Sequence, residues 1–212
     1  MKPEIEYDNR LIKRSIGANT LIQKTRFAMF LAAVSILISF KTVRADGDPA
    51  KIEYPVYANI DRIGSYFNAG ANTEIGEDMQ ATGGGIVTAF AFGYYGGDLA
   101  ITPTNATVRF YSSTPPNGLL AQYPISNLER EPFFFKMKYY ELPTPIVLSS
   151  SFWMTVEFTD HDTGVLLAES TPEIGVSQNV FYLEGNGIVQ FQGGNPYANF
   201  LFTVYKDRKS VV

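Results

Sequence analysis

The chain is predicted to fold as an all-β protein, an antiparallel β-sandwich with jelly-roll-like connections. Three observations carry that expectation. No segment beyond residue 45 sustains an apolar period of 3.6 residues, so amphipathic helices are not written into it. Short runs of period-2 alternation recur instead, and each stops at a cluster of Gly, Pro, Asn or Asp. Regular strand and turn signals of this kind mark sandwiches and barrels.

The first 45 residues read as a signal peptide with an extended n-region. Residues 27–40, FAMFLAAVSILISF, form an uncharged apolar run preceded by Lys24 and Arg26. Its length of 14 suits an export h-region and falls short of the ~20 residues of a membrane span. Val43 and Ala45 supply small residues before a cleaved bond, so cleavage is expected after Ala45. An uncleaved anchor flanked by Lys41 and Arg44 is the alternative; after cleavage no stable membrane span is expected. Residues 46–212 then form a single domain, long enough to build a core without disulfides, and the chain has no cysteine. Thiol nucleophiles and cysteine zinc sites are excluded on that ground.

Charge narrows the partners. Of 17 basic and 21 acidic residues, 8 and 3 fall within residues 1–45, leaving 9 and 18 and a net charge near −9. An acidic domain repels phosphate backbones, so nucleic acid is not an expected partner.

Along the rest of the chain, residues 46–83 are the least patterned, reading as one edge strand around Ile52 to Tyr57 and then a Gly/Asn-rich stretch. Phe90, Phe92 and Tyr94 alternate with Ala89, Ala91 and Gly93, and Val108 and Phe110 with Thr107, Arg109 and Tyr111. The segment SSTPPNG must turn the chain, because Pro115 and Pro116 cannot donate ladder hydrogen bonds and Asn117-Gly118 accepts positive φ. Phe133, Phe135, Met137 and Tyr139 alternate with Phe134, Lys136 and Lys138. Phe152, Met154, Val156 and Phe158 alternate with Trp153, Thr155 and Glu157, and Phe200, Phe202 and Val204 with Leu201, Thr203 and Tyr205. One apolar and one mixed face per strand is the pattern of half-solvated antiparallel sheets.

The strings AFAFGYYGG, ATVRFYSSTPPNGLLAQ, PTPIVLSSSFWMTVEFT, GVLLAES and NPYANFLFTVY together resemble a secreted bacterial β-sandwich domain of the kind found in PEP-CTERM-type exported proteins. The resemblance covers residues 84–205, rests on core alternation and turns, and implies fold and export rather than chemistry. Such proteins often end in a Pro-Glu-Pro signal, an apolar helix and a basic tail. This chain ends FTVYKDRKSVV, so a freely secreted or periplasmic product is expected.

Candidate sites are few. In TDHDTG, Asp160 and Asp162 with Gly164 echo part of a calcium loop without its third carboxylate and distal Glu, and an Asp/Gly-rich turn accounts for the same residues. Beyond that calcium, no cofactor is expected. His161 is the one histidine, with no nucleophile-elbow serine to serve, and reads as a turn residue. Glu157 with Glu169 is a carboxylate pair of the sort glycoside hydrolysis uses, provided the two approach. The strongest lead is aromatic. If Phe110 and Phe152 face the core, Tyr111 and Trp153 lie on the opposite face, where flat amphipathic rings suit sugars or a partner protein. The expected function is a non-catalytic binding or structural module at the bacterial cell exterior, associated with polysaccharide, extracellular matrix or a surface protein. The alternatives are a glycan-active hydrolase and a subunit of a surface assembly.

Overall fold

The structure, a computed structural model, describes residues 53–60, 63–98, 102–168, 171–178, 180–190 and 199–207. The expected export segment and Glu169 lie outside these residues. The described strands are β1 (Glu53–Ala58), β2 (Ile63–Phe67), β3 (Ile75–Gln80), β4 (Gly85–Tyr95), β5 (Thr104–Tyr111), β6 (Leu119–Leu128), β7 (Phe135–Leu148), β8 (Ser151–Phe158), β9 (Gly164–Ala168), β10 (Val180–Leu183), β11 (Gly187–Gln190), β12 (Asn199–Phe200) and β13 (Phe202–Asp207). Among the described residues no helix is long and apolar enough to cross a membrane.

The strands form two antiparallel sheets packed face to face, the expected β-sandwich. One has the order β1-β13-β4-β9-β12, with β7 against β4 and β2 against β9. The other runs β11-β10-β3-β8-β5-β6. The chain crosses between sheets at β2 to β3, β3 to β4, β4 to β5, β6 to β7, β7 to β8, β8 to β9, β9 to β10 and β11 to β12. This repeated crossing lets the alternating residues of both sheets share one core.

That core is aromatic. Phe152, Met154, Val156 and Phe158 are all buried, as are Phe200, Phe202 and Val204, so both expected faces are present. Phe90 meets Phe110 edge-on across the two sheets, ring centroids 5.6 Å apart, and Phe110 packs on Phe152 at 6.2 Å. Each such ring contributes about 1.5–3 kcal/mol through removal from water. The SSTPPNG segment turns as expected between β5 and β6: Ser112 N–H donates to the Gly118 carbonyl at 2.8 Å. Gly118 has φ +69°, and a Cβ there would stand 2.5 Å from Ser112 Oγ. Glycine adopts that left-handed conformation without strain.

Two features depart from the sequence expectation. In β7 the parity is inverted. Lys136, Lys138 and Tyr140 pair with Tyr94, Phe92 and Phe90, whose rings belong to the core, so Phe135, Met137 and Tyr139 face outward. Tyr140 stacks on Phe90 at 5.2 Å, taking the inward place that the pattern assigns to the phenylalanines. β7 pairs with β4 alone, and inward-pointing lysines with Pro143 and Pro145 are devices that keep an edge strand from recruiting another chain. The second departure is β3, IGEDMQ, a strand buried over Ile75–Met79 inside the stretch that read as unpatterned. Its Glu77 and Asp78 hide it, since buried carboxylates break the apolar alternation that marks a strand.

Candidate functional site

The sequence lead places chemistry on the outward face of the six-stranded sheet. Register fixes the neighbours there. Tyr111 on β5 lies directly across from Trp153 on β8, and Trp153 in turn across from Asp78 on β3. The next outward row runs Arg109, Thr155, Gly76 and Tyr182. Tyr111 and Trp153 therefore share one surface, on adjacent strands, opposite the core face.

They do not share one environment. Trp153 is half-buried, while Tyr111 is only 3% exposed. Tyr111 is thus corrected from a ligand platform to a support. Its hydroxyl donates to Glu74 Oε1 at 2.7 Å, and burial together with the Glu74 carboxylate pushes that hydroxyl well above its ordinary pKa.

Glu74, invisible to sequence reasoning because it sits just ahead of the unrecognised β3, is the hub of this face. Thr155, fully buried, donates its hydroxyl to the same Oε1. Arg109 Nη1 stands 3.3 Å from Glu74 Oε2 and 2.8 Å from Glu157 Oε2, pairing with both carboxylates. Burial works to lower the guanidinium pKa, and the two carboxylates more than offset it. The Glu74 backbone is tied to Glu184 in both directions, N–H to Oε2 at 3.0 Å and carbonyl to Glu184 N–H at 2.9 Å. Beside it β3 and β8 run so close that a Cβ at Gly76 would lie 2.1 Å from the Met154 carbonyl oxygen. Any side chain at 76 would force these strands apart and dismantle the row.

In the TDHDTG turn the Asp160 carboxylate is engaged by the protein's own donors. Asp160 Oδ1 accepts from the N–H groups of Asp162 and Thr163, each at 2.9 Å, and from Arg130 Nη1 at 2.6 Å. The Thr163 hydroxyl adds a contact to Oδ2 at 2.9 Å. Burial opposes the charge, but the Thr104 hydroxyl, the Thr163 and Asp162 amides and the Thr163 hydroxyl hold the Asp160 pKa below its ordinary value. A guanidinium and a closed Asx turn thus occupy the carboxylate that calcium would need, and among the described residues no group of three or more His, Asp or Glu is arranged to hold a metal. His161 Nδ1 accepts from Ala71 N–H at 3.4 Å and its carbonyl from Asn68 Nδ2, pinning the loop before β3. A nearby recess lined by Pro103, Glu129, Arg130, Glu131 and Lys136 has its charges internally paired, Lys136 with Glu131 at 3.1 Å and with Glu129 at 3.5 Å.

No family model matches the chain, and no curated protein matches it either.

Proposed function

We propose that the protein is a secreted, non-catalytic binding module at the bacterial cell exterior. Its outward face on the six-stranded sheet, centred on Trp153, holds polysaccharide or another matrix component. The observation that carries this reading is the fixed cross-strand arrangement of Trp153 beside Tyr111, with Arg109 paired to Glu74 and Glu157 in the neighbouring rows. A sugar ring needs a flat apolar surface for its C–H face and oriented donors and acceptors for its hydroxyls. Trp153 supplies the first; Arg109 and Glu157, each partly exposed, supply the second. Tyr111, Thr155 and Glu74 lie beneath and hold these groups in place, which lowers the ordering cost of binding. The export-type N-terminal segment and the resemblance to exported bacterial sandwich domains support the location.

A glycan-active hydrolase is the second reading, favoured by the shared approach of Glu74 and Glu157 to one nitrogen. The Arg109 guanidinium lies between those carboxylates, where a scissile bond and its water would have to sit, so binding is the better supported. A surface-assembly subunit would dock through the outward side of β7, where Phe133, Phe134, Met137 and Tyr139 are exposed.

Calorimetric titration of soluble polysaccharides against the wild type and Trp153→Ala, each paired with a thermal melt, tests the proposal. The expected result is at least about a tenfold loss of affinity with the melt nearly unchanged. A folded Trp153→Ala variant that binds as the wild type does would sink it, and release of reducing ends would replace it with the hydrolase.

A further inference from the structure

Within β3, three residues beyond Glu74, a further glutamate faces the other way. Glu77 is fully buried in the core and bridges the two sheets. Tyr57 of β1 contacts Oε1 through its hydroxyl at 2.5 Å, and Phe200 N–H of β12 donates to Oε2 at 2.7 Å. Both partners belong to the opposite sheet. The groups packed around it are apolar or neutral: Met154 of β8 and Phe181 of β10 lie directly across from it in the ladder, and Ser177 hydrogen-bonds Tyr57 from the other side. The one other ionisable group acting on it besides Tyr57 is Asp78, a like charge. Among the described residues no lysine, arginine or histidine pairs with it.

We propose that Glu77 is carried as the neutral acid and that its single proton latches β3 of one sheet to β1 and β12 of the other. A carboxylate with no cation in an apolar core is costly enough that it takes up a proton or admits water. Burial, reinforced by Asp78, outweighs the two hydrogen bonds and raises the group from 4.5 to about 8. With Oε1 protonated, the acid donates to the Tyr57 oxygen, and the Tyr57 hydroxyl hydrogen turns to Ser177. The Phe200 N–H bond is retained. Losing the proton in mildly alkaline solution places a bare charge between the sheets, and this end of the sandwich opens to hydrate it. The device is independent of the ligand proposed for the outward face.

The test follows the intact chain by NMR. The carbon-13 signal of the Glu77 carboxyl should titrate near pH 8 in place of the ordinary 4.5. In the wild type the Phe200 amide should lose at least about tenfold of its hydrogen-exchange protection, beyond the intrinsic base-catalysed increase, as the carboxyl titrates. Glu77→Gln, which keeps an acceptor for Phe200 and a donor for Tyr57 without a titratable proton, should hold that protection across the same range. A Glu77 carboxyl that titrates near 4.5, or identical pH dependence of Phe200 protection in wild type and Glu77→Gln, would overturn the proposal. Should Glu77→Gln fail to fold, the carboxyl titration of the wild type decides alone.

Discussion

Two glutamates three residues apart, Glu74 just ahead of β3 and Glu77 within it, meet opposite chemistry. Glu74 faces outward and is held by a cation, Arg109, together with the hydroxyls of Tyr111 and Thr155. Glu77 faces inward and is held by a tyrosine and a backbone amide, with no cation at all. A carboxylate can stay charged out of water when a guanidinium pairs with it and hydroxyls fill its remaining lone pairs. Without the guanidinium, the same group gains more by keeping its proton. Partner type, more than depth of burial, decides which glutamate can take part in polar recognition and which becomes part of the core.

Substitutions that break this comparison should rank by how much of the core they disturb. Phe200→Ala removes a fully buried ring from the strand that presents an amide to Glu77, so urea denaturation should show a loss of about 3–5 kcal/mol. Tyr57→Phe leaves Glu77 with the amide alone in an apolar setting and should cost about 1–3 kcal/mol. Tyr111→Phe should cost about 1 kcal/mol, since Glu74 keeps Thr155 and Arg109. A Tyr111→Phe loss as large as that of Tyr57→Phe would mean the outward cluster is no better satisfied than the inward one. Trp153→Ala should cost least, no more than about 1 kcal/mol, because the ring is only half-buried, and under the proposed function it should lower polysaccharide affinity at least about tenfold.

Much of this was legible in the sequence, and the exceptions share a cause. The strands around Phe90, Phe110, Phe152 and Phe202 were visible because period-2 alternation and apolar burial coincide there, and the PPNG turn because its residues admit few conformations. Tyr111 and Trp153 were rightly placed on one face. Their unequal exposure was not readable, because Tyr111 is held by Glu74, which approaches from just ahead of β3. β3 itself was hidden by Glu77 and Asp78, which are buried against the usual preference of their residue type. β7 was misread in parity because edge protection outweighs hydrophobic burial there: Lys136 points inward and finds Glu129 and Glu131. In each case a partner distant in sequence decided the outcome, and one chain read locally does not show its partners.

Glu77 also sets how stability depends on pH. Below about pH 4.5 Glu77 is protonated in both folded and unfolded chains, and its contribution is fully present. Between 4.5 and about 8 the unfolded chain releases the proton and the folded chain keeps it, so stability falls as pH rises. The slope from this one group is at most about 1.4 kcal/mol per pH unit. Asp160 acts in a separate window and with the opposite sign: its depressed pKa contributes stability above 3.8 that is lost as pH falls.

The most direct measurement is therefore the unfolding free energy of wild type and Glu77→Gln, by urea denaturation, from about pH 4 to about pH 9. The difference between wild type and variant should fall steadily against the wild type from about pH 4.5 and level off near pH 8. Two curves that stay parallel over the whole range would contradict the account, showing that Glu77 titrates in the folded core as it does in the unfolded chain.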